Sequence, residues 1–163
     1  VISGEQFVDE CQVESDLELL LPATYVTGSS ERMLLYRELD SLTLDKDVED
    51  FRTRLIDRFG PIPSETEELL RIVPLRRLAA RLGAEKVFLK GGRMSLFFVS
   101  NPDSPYYQSQ AFGKVIAYMM KYTRRCDLRE QNTRRSMLVK DVKNVETAVS
   151  VLQEIVAMQV EEG

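Results

Sequence analysis

Residues 55–63 read Leu-Ile-Asp-Arg-Phe-Gly-Pro-Ile-Pro, and this stretch decides how the first half of the chain folds. Gly60 can take the left-handed conformation that closes a helix, and the prolines that follow it prevent the helix from continuing. The stretch therefore predicts that one helix ends at about Phe59. A second helix is predicted to begin directly afterwards, because Ser64 and Glu67 have the spacing of a capping box.

The residues before this stretch have the spacing of an amphipathic helix. Apolar side chains recur every three or four residues and define a core-facing stripe of Val48, Phe51, Leu55 and Phe59. Charged side chains occupy the other side of the helix, namely Asp47, Asp50, Arg54, Asp57 and Arg58. Asp45 is predicted to cap the helix, and Asp57 and Arg58 are expected to face solvent.

Three more helices are predicted elsewhere in the chain. The first carries leucines at 35, 39 and 42 and takes its cap from residues 28–31. Another follows Ser104 as cap and Pro105 as first helical residue, and the last follows Asn144. Pro74 falls inside the helical pattern between residues 65 and 82, which predicts either a kink or two separate helices.

The strand signals lie at the beginning and in the second half of the chain. Residues 11–14 and the alternating leucines of 17–21 are typical of a strand or of extended chain. Gly91 and Gly92 supply the positive φ of a two-residue turn, so 86–90 and 93–99 are predicted to form a hairpin. Two further short strands are predicted at 126–132 and 134–139. The expected fold class is α+β, with helices packed on one small, mostly antiparallel sheet with a Gly-Gly hairpin, in a single domain over residues 1–163.

Composition excludes most enzyme classes. The 163 residues contain no histidine, which removes the usual general base near neutral pH and most zinc and nucleophile systems. There is also no glycine-rich phosphate loop ending in Gly-Lys-Ser/Thr. We therefore expect no catalytic residue, no cofactor and no metal. The two cysteines have no nearby partner, and no apolar stretch reaches membrane-spanning length, so we expect a cytoplasmic protein with reduced thiols and no membrane partner.

Three linked segments carry a resemblance to a known family. Residues 32–39, the stretch 55–63 and the helix at 69–83 follow one another as in the C-terminal domain of bacterial transcription-repair coupling factor. The resemblance extends over residues 11–158 and is strongest over 32–83. Full-length members of this family are much longer motor proteins. The resemblance therefore implies that the chain is the terminal regulatory domain of such a protein.

The resemblance also implies how the domain functions. In the family this domain docks on an N-terminal module that is similar to the B component of the excision nuclease, and it hides the surface that recruits the A component of that nuclease. The parent uses ATP to move on DNA and displaces stalled RNA polymerase. Acidic residues on the helix before the Arg-Phe-Gly turn contribute to docking, and Asp57 matches one of these positions. Arg54 stands where the family pattern allows a second acid, and Arg58 completes the expected partner-binding set.

Two alternatives remain open for the charged residues. From spacing alone, Arg54 and Asp57 could form an ordinary exposed ion pair. The basic segment 121–143, with candidate contacts Arg124, Arg125, Arg134 and Arg135, could instead make the chain a nucleic-acid-binding module. Carboxylates interrupt that segment and the net charge of the chain is −4, so binding to duplex DNA is expected to be weak.

Overall fold

The structure is a computed structural model and describes residues 7–160. Within that span, five strands form one mixed sheet in the order β1-β2-β3-β5-β4. The strands are β1 Gln12–Ser15, β2 Ala84–Lys90, β3 Arg93–Phe98, β4 Cys126–Gln131 and β5 Arg134–Val139. β1 runs parallel to β2, and the other pairings in this span are antiparallel. The predicted α+β class with a small, mostly antiparallel sheet is confirmed.

Helices account for most of the remaining regular structure. They are α1 Ser29–Ser41, α2 Asp45–Phe59, α3 Ser64–Arg81, α4 Gln110–Lys121 and α5 Val145–Ala157, with a short 3-10 helix at Pro105–Gln108. Asn144 caps α5 as predicted, because its Oδ1 accepts a hydrogen bond from the Thr147 amide at 2.7 Å. None of the helices within residues 7–160 combines the length and the hydropathy that crossing a bilayer requires.

The described chain consists of two units, each with its own apolar core. The helical unit is Leu17–Pro74 and holds α1, α2 and the first part of α3. Its core comprises Leu39, Val48, Phe51, Leu55, Leu70 and Val73. The sheet unit covers residues 7–16 and 75–160. Its buried side chains include Val87, Leu89, Met94, Leu96, Met137 and Val139 of the sheet and Val145, Ala148, Leu152 and Ile155 of α5. That residues 1–163 behave as a single domain stays a prediction.

Both tight hairpins of the sheet unit depend on residues with positive φ. Gly91 and Gly92 have φ values of 62° and 73°, as the predicted turn between β2 and β3 requires. Asn132 and Thr133 hold the corresponding positions between β4 and β5, with φ values of 54° and 64°. The second predicted hairpin is therefore also confirmed, but β4 ends at Gln131 because Asn132 belongs to the turn.

The predicted caps of α2 and α3 are wrong. The residue that caps α2 is Leu44, which makes no side-chain capping bond, and Asp45 is the first helical residue. α3 begins at Ser64, and the amides of its first turn donate to the carbonyl of Pro63. Glu67 does not close a capping box, because its carboxylate pairs with an arginine of α2.

The region after Pro105 is divided in two. Ser104 caps only the 3-10 helix, where its hydroxyl accepts a hydrogen bond from the Tyr106 amide at 3.2 Å. Ser109 then caps α4, which begins five residues later than the predicted helix. The predicted helix start was therefore wrong for α4, because a second serine provides a second cap.

Residues 17–21 do not form the predicted strand. Their backbone groups are bonded by side chains instead: the Leu21 amide donates to the Tyr36 hydroxyl at 2.7 Å, and the Thr66 hydroxyl donates to the Leu20 carbonyl at 2.8 Å. A segment whose polar groups are satisfied in this way does not need a neighbouring strand. Pro74 lies inside α3, so the predicted alternative of two separate helices is wrong.

A glycine after α3 provides a test of packing in the sheet unit. Gly83 has a φ of 85°, and a β-carbon added there would overlap the ring of Tyr106, which is fully buried and donates to the Leu82 carbonyl. We expect Gly83→Ala to lower the free energy of unfolding by about 3 kcal/mol, through backbone strain and overpacking. Gly91→Ala is the control, since Gly91 also has positive φ but no atom lies within 4 Å of its added β-carbon. Urea unfolding should give a loss of only about 1 kcal/mol for the control; equal losses would contradict the packing argument.

The second test concerns the ion pair that joins α2 to α3. Arg52 binds Glu67 through two nitrogens, with Nε 2.9 Å from Oε1. Hydrogen bonding from Arg52 lowers the pKa of Glu67 below its ordinary value of 4.5. A lowered folded-state pKa means that the pair stabilises the protein above the unfolded pKa, and that this stability is lost as the pH falls through the folded pKa.

Glu67→Gln should therefore destabilise the chain at neutral pH but not in strong acid. Because both side chains are partly exposed, the loss at pH 7 should be at most about 1 kcal/mol. Thermal unfolding from pH 7 to well below pH 4.5 measures how the difference shrinks. Glu65→Gln, on the same turn of α3 but without an ion pair in the described part of the chain, is the control. A difference that persists unchanged in acid would refute the assignment.

Candidate interaction site on helices α1 and α2

The last turn of α2 is fixed by the glycine that follows it. Gly60 has a φ of 87° and a ψ of −163°, so it has the predicted positive φ but not the left-handed helical ψ. This backbone region is open essentially to glycine alone. The Gly60 amide donates to the Ile56 carbonyl at 2.9 Å, and the Tyr25 hydroxyl donates to the Gly60 carbonyl at 2.8 Å. The predicted end of α2 at Phe59 is confirmed, and these two bonds hold the turn beyond it.

Two arginines of α2 pair with glutamates of α1. Arg54 binds Glu38 through both Nη atoms, with Nη1 3.3 Å from Oε1, and Arg58 binds Glu31. The side chains of Arg54 and Arg58 are still 58% and 65% exposed. The alternative in which Arg54 pairs with Asp57 is therefore wrong. Exposed pairs of this kind contribute at most about 1 kcal/mol, so their main effect is to offset and orient the two guanidinium groups.

Asp57 differs from its charged neighbours. It is exposed and, within residues 7–160, makes neither an ion pair nor a hydrogen bond. It lies in the last turn of α2, where the partial negative charge of the helix terminus disfavours a carboxylate. The stability of the fold therefore gives no reason for an aspartate at this position.

A groove brings the three predicted site residues together. It has a volume of about 250 Å³. Its apolar floor is formed by Leu35, Phe51, Leu55 and Phe59, and its charged rim by Arg54, Asp57 and Arg58. The same two helices expose Met33, Leu34 and Ile56, at 58%, 63% and 42%. An apolar floor with a polar rim is the usual anatomy of a protein interface.

The lining of the groove suits the binding of a side chain from a partner but offers no reactive group for catalysis. An unpaired carboxylate beside apolar surface suits an arginine or lysine, whose stem packs on the floor while its charge meets the rim. Among residues 7–160, no cluster of His, Cys, Asp or Glu could hold a metal ion. Burial raises the pKa of Cys11 to about 12 and that of Cys126 to about 11, so both free thiols are protonated at neutral pH.

The basic segment does not form one surface. Arg124 is exposed after α4, whereas Arg125 donates from Nε to the Lys140 carbonyl at 3.0 Å. Arg134 and Arg135 are consecutive in β5, so their side chains point to opposite faces of the sheet. Each of these two pairs with a carboxylate: Arg134 with Glu85 at 3.0 Å and Arg135 with Glu130 at 2.9 Å. The four arginines of the nucleic-acid alternative are therefore dispersed.

Sequence reasoning missed the two glutamates of α1. Glu31 and Glu38 are seven residues apart, which places them on one side of a helix, and Arg54 and Arg58 are one turn apart on the next helix. Opposite charges at helical spacing on two helices joined by a three-residue connection were a usable signal. That signal indicates that α1 and α2 are neighbours. It does not show which arginine binds which glutamate, because that depends on how the helices pack.

The chain is an α+β protein with an amphipathic groove on α1 and α2. The model of the TRCF domain family matches residues 15–109, more than half of the chain, so the chain belongs to the TRCF domain family. Its fold is that of the C-terminal domain of transcription-repair coupling factor. A crystal structure of that domain superposes with a TM-score of 0.68 at 17% identity, covering 90% of this chain and 93% of the other.

Similar sequences are transcription-repair-coupling factors of bacteria. The protein of Rickettsia bellii is 30% identical over 132 residues, which is 80% of this chain and 11% of that protein. The protein of Escherichia coli K12 is 32% identical over 78 residues, 48% of this chain and 7% of that protein. The chain thus spans about a tenth of the length of the relatives it matches. The resemblance to the C-terminal domain of transcription-repair coupling factor is confirmed, and the family model covers residues 15–109 of it.

The unpaired state of Asp57 can be tested by its effect on stability. We expect Asp57→Arg to change the free energy of unfolding by less than about 0.5 kcal/mol, because no contact is lost and a cation suits the end of a helix. Tyr25→Phe, which removes the hydrogen bond to Gly60, should cost about 1 kcal/mol and serves as the reference. Urea unfolding of both variants decides the matter. A loss above about 1 kcal/mol for Asp57→Arg would mean that this carboxylate has a structural role.

Proposed function

We propose that this chain is a regulatory, autoinhibitory domain of a transcription-repair coupling factor. It docks on an N-terminal module of the same full-length protein, one that is similar to the B component of the excision nuclease. While docked, it covers the surface that recruits the A component of the excision nuclease. The cytoplasmic parent is an ATP-dependent DNA translocase that displaces stalled RNA polymerase in DNA repair, and this domain supplies no catalytic group to it.

The observation that carries the proposal is the unpaired carboxylate of Asp57. It stands on the rim of an apolar groove, at a helix end where a carboxylate is locally unfavourable. Natural sequences mostly break such local rules where a function requires it. An arginine of the N-terminal module would complete the ion pair and relieve the conflict with the helix terminus.

Docking makes this pair more valuable than an exposed one. Closing the groove removes water from Asp57 and from the apolar floor at the same time. Truncating one member of a desolvated pair typically costs about 2–5 kcal/mol of association, against at most about 1 kcal/mol for an exposed pair. Asp57 can therefore matter little to folding and a great deal to docking.

The arginine at position 54 does not prevent this contact. Glu38 accepts hydrogen bonds from Arg54 and raises its pKa, so the guanidinium stays charged but its charge is offset. Glu31 offsets Arg58 in the same way. The rim therefore presents Asp57 beside two neutralised arginines, and an approaching cation meets no net repulsion there.

The mechanism is a population shift between two states. In the docked state the recruiting surface is covered, and in the released state it is open to the A component of the excision nuclease. Binding of that component competes with docking of this domain, so each lowers the apparent affinity of the other. Movement of the motor would release the domain by acting against the docked state.

Duplex DNA is at most a weak partner of this domain in the proposal. Three of the four arginines of the nucleic-acid alternative already bond to carboxylates or backbone carbonyls of the same chain. Few phosphates could be neutralised by what is left, and binding of this kind is weak at physiological salt.

Asp57→Arg in the full-length parent is the decisive experiment. It should raise the affinity for the A component of the excision nuclease at least about tenfold, because a docking loss of about 1.4 kcal/mol already shifts the equilibrium by that factor. Isothermal titration with this component in purified form measures the change. Asp40→Arg is the matched control: Asp40 is an exposed aspartate of α1 that does not line the groove.

The control should leave the affinity unchanged. If Asp57→Arg is folded and binds the A component no better than wild type, docking does not use this groove. If both variants bind better to the same extent, net charge rather than the groove regulates recruitment, and the proposal is wrong.

A further inference from the structure

The sheet has a second face whose side chains keep contact with solvent. Val87 and Leu96 point into the core of the sheet unit and are fully buried, whereas their neighbours Phe88 and Phe97 point to the other side and are partly exposed. We call this side the open face. The register places on it Lys86, Phe88 and Lys90 of β2, Arg93, Ser95 and Phe97 of β3, and Arg134, Ser136 and Leu138 of β5. The outer strands add Gln12, Glu14, Asp127 and Arg129.

Two aromatic rings lie at the centre of the open face. Phe88 and Phe97 are diagonal neighbours on adjacent strands, with ring centroids 5.3 Å apart and planes at 85°. The Nζ atoms of Lys86 and Lys90 lie 5.8 and 5.1 Å from the Phe88 ring, and the Arg134 guanidinium lies 5.7 Å from the Phe97 ring. Aromatic rings surrounded by cations form the usual surface on which proteins stack the bases of single strands.

The residues that the strands and the β-bulge place on the open face have a net charge opposite in sign to that of the chain, and Asp9 and Glu10 add two carboxylates at the end of the face where the chain enters β1. The face and its β-bulge carry five cations, Lys86, Lys90, Arg93, Arg129 and Arg134, and three carboxylates, Glu14, Glu85 and Asp127, whereas the net charge of the chain is −4. Each carboxylate forms an ion pair with one of the cations: Glu14 with Lys90 at 3.7 Å, Glu85 with Arg134 at 3.0 Å, and Asp127 with Arg129 at 2.9 Å. Within residues 7–160, Lys86 and Arg93 have no carboxylate partner. Donors for an anionic ligand are therefore left over.

We propose that the open face binds single-stranded RNA, with bases stacked on Phe88 and Phe97 and phosphates near Lys86 and Arg93. A sheet surface can carry splayed-out bases but cannot read the narrow groove of an RNA duplex, so the ligand is single-stranded. This inference goes beyond the docking function and does not depend on it.

Two hydroxyl groups favour RNA over DNA. Ser95 lies directly opposite Phe88 in the strand register, and Ser136 lies directly opposite Phe97. Each ring thus has a small side chain beside it that can exchange hydrogen bonds with a ribose 2′-hydroxyl, the group by which proteins distinguish RNA from DNA.

A cavity at one end of the open face sets the expected base preference. It has a volume of about 460 Å³, and its walls include Lys86 and Arg134 but also Asp9, Glu10 and Glu85. Carboxylates repel phosphate but accept hydrogen bonds from exocyclic amino groups, as they do from cytosine N4. We therefore place a base inside this cavity and the phosphates outside it, near Arg93 and near the Lys86 ammonium group beside the Phe88 ring, and we expect cytosine to be preferred over uracil.

The test uses the 163-residue chain and fluorescently labelled ten-nucleotide homopolymers. Fluorescence anisotropy should detect oligocytidine RNA at low salt, with at least about fivefold weaker binding of the DNA of the same sequence and of oligouridine RNA. The plot of log affinity against log salt should have a slope of about −1.4, as two phosphate contacts on a single strand would give.

Paired variants assign the binding to the open face. Phe88→Leu with Phe97→Leu keeps apolar volume but removes both rings, and it should weaken binding at least about tenfold. Lys86→Gln with Arg93→Gln should abolish most of the salt slope, whereas Lys46→Gln with Arg124→Gln, the same charge change at exposed residues outside the sheet, should leave both affinity and slope unaltered. If the leucine variant unfolds, amide chemical shifts of the wild type on titration with RNA locate the site instead.

Several results would overturn the inference. They are no binding at low salt, equal binding of RNA and DNA, equal binding of the two homopolymers, or shifts confined to residues off the open face. Shifts of Phe88 and Phe97 that follow protein concentration alone would identify a self-association surface and would also overturn it. Because none of these assays involves Asp57, their failure is separate from failure of the docking proposal.

Discussion

The positive φ of Gly60 is the constraint on which the helical unit depends. The backbone region at φ 87° and ψ −163° is open essentially to glycine alone, so Gly60 fixes how the chain leaves α2. The Tyr25 hydroxyl then holds the Gly60 carbonyl. With the end of α2 fixed, Phe51 and Leu55 face the apolar core of the helical unit and are buried in it. Arg54, Asp57 and Arg58 then lie on the rim of the groove.

Local signals of this kind made part of the fold predictable. The end of α2, the Gly91-Gly92 turn and the Asn144 cap each depend on a few adjacent residues, and all three are confirmed. The predictions that were wrong concern residues whose bonding partners are distant in the sequence. Residues 17–21 alternate like a strand, but hydroxyls of Tyr36 and Thr66 bond their backbone. The capping box predicted for Ser64 and Glu67 does not form, because the Glu67 carboxylate pairs with Arg52, and only tertiary packing brings Arg52 close to it.

The candidate site divides in the same way. Helical spacing and the family resemblance were enough to put Arg54, Asp57 and Arg58 on one exposed side of α2. The electrostatics of that side were not predictable, because Glu31 and Glu38 come from another helix. As long as the positions of those two glutamates were unknown, the spacing of Arg54 and Asp57 suggested that these two residues form an ion pair with each other. With the glutamates in place, Asp57 is the carboxylate of the groove rim that has no partner among residues 7–160. Pairing across helices, not spacing along one, determines which charge is available.

A carboxylate in the last turn of a helix costs only a few tenths of a kcal/mol when it is exposed to water. The same carboxylate interacts much more strongly once a partner excludes water from it. A domain that must dock and release can therefore keep its docking charge with almost no loss of its own stability. The exposed arginine pairs follow the same logic, since they set the charge of the rim while contributing little to folding. In the proposed docking function, specificity for a partner and stability of the fold would thus be carried by different residues of the same helix, and either could change without the other.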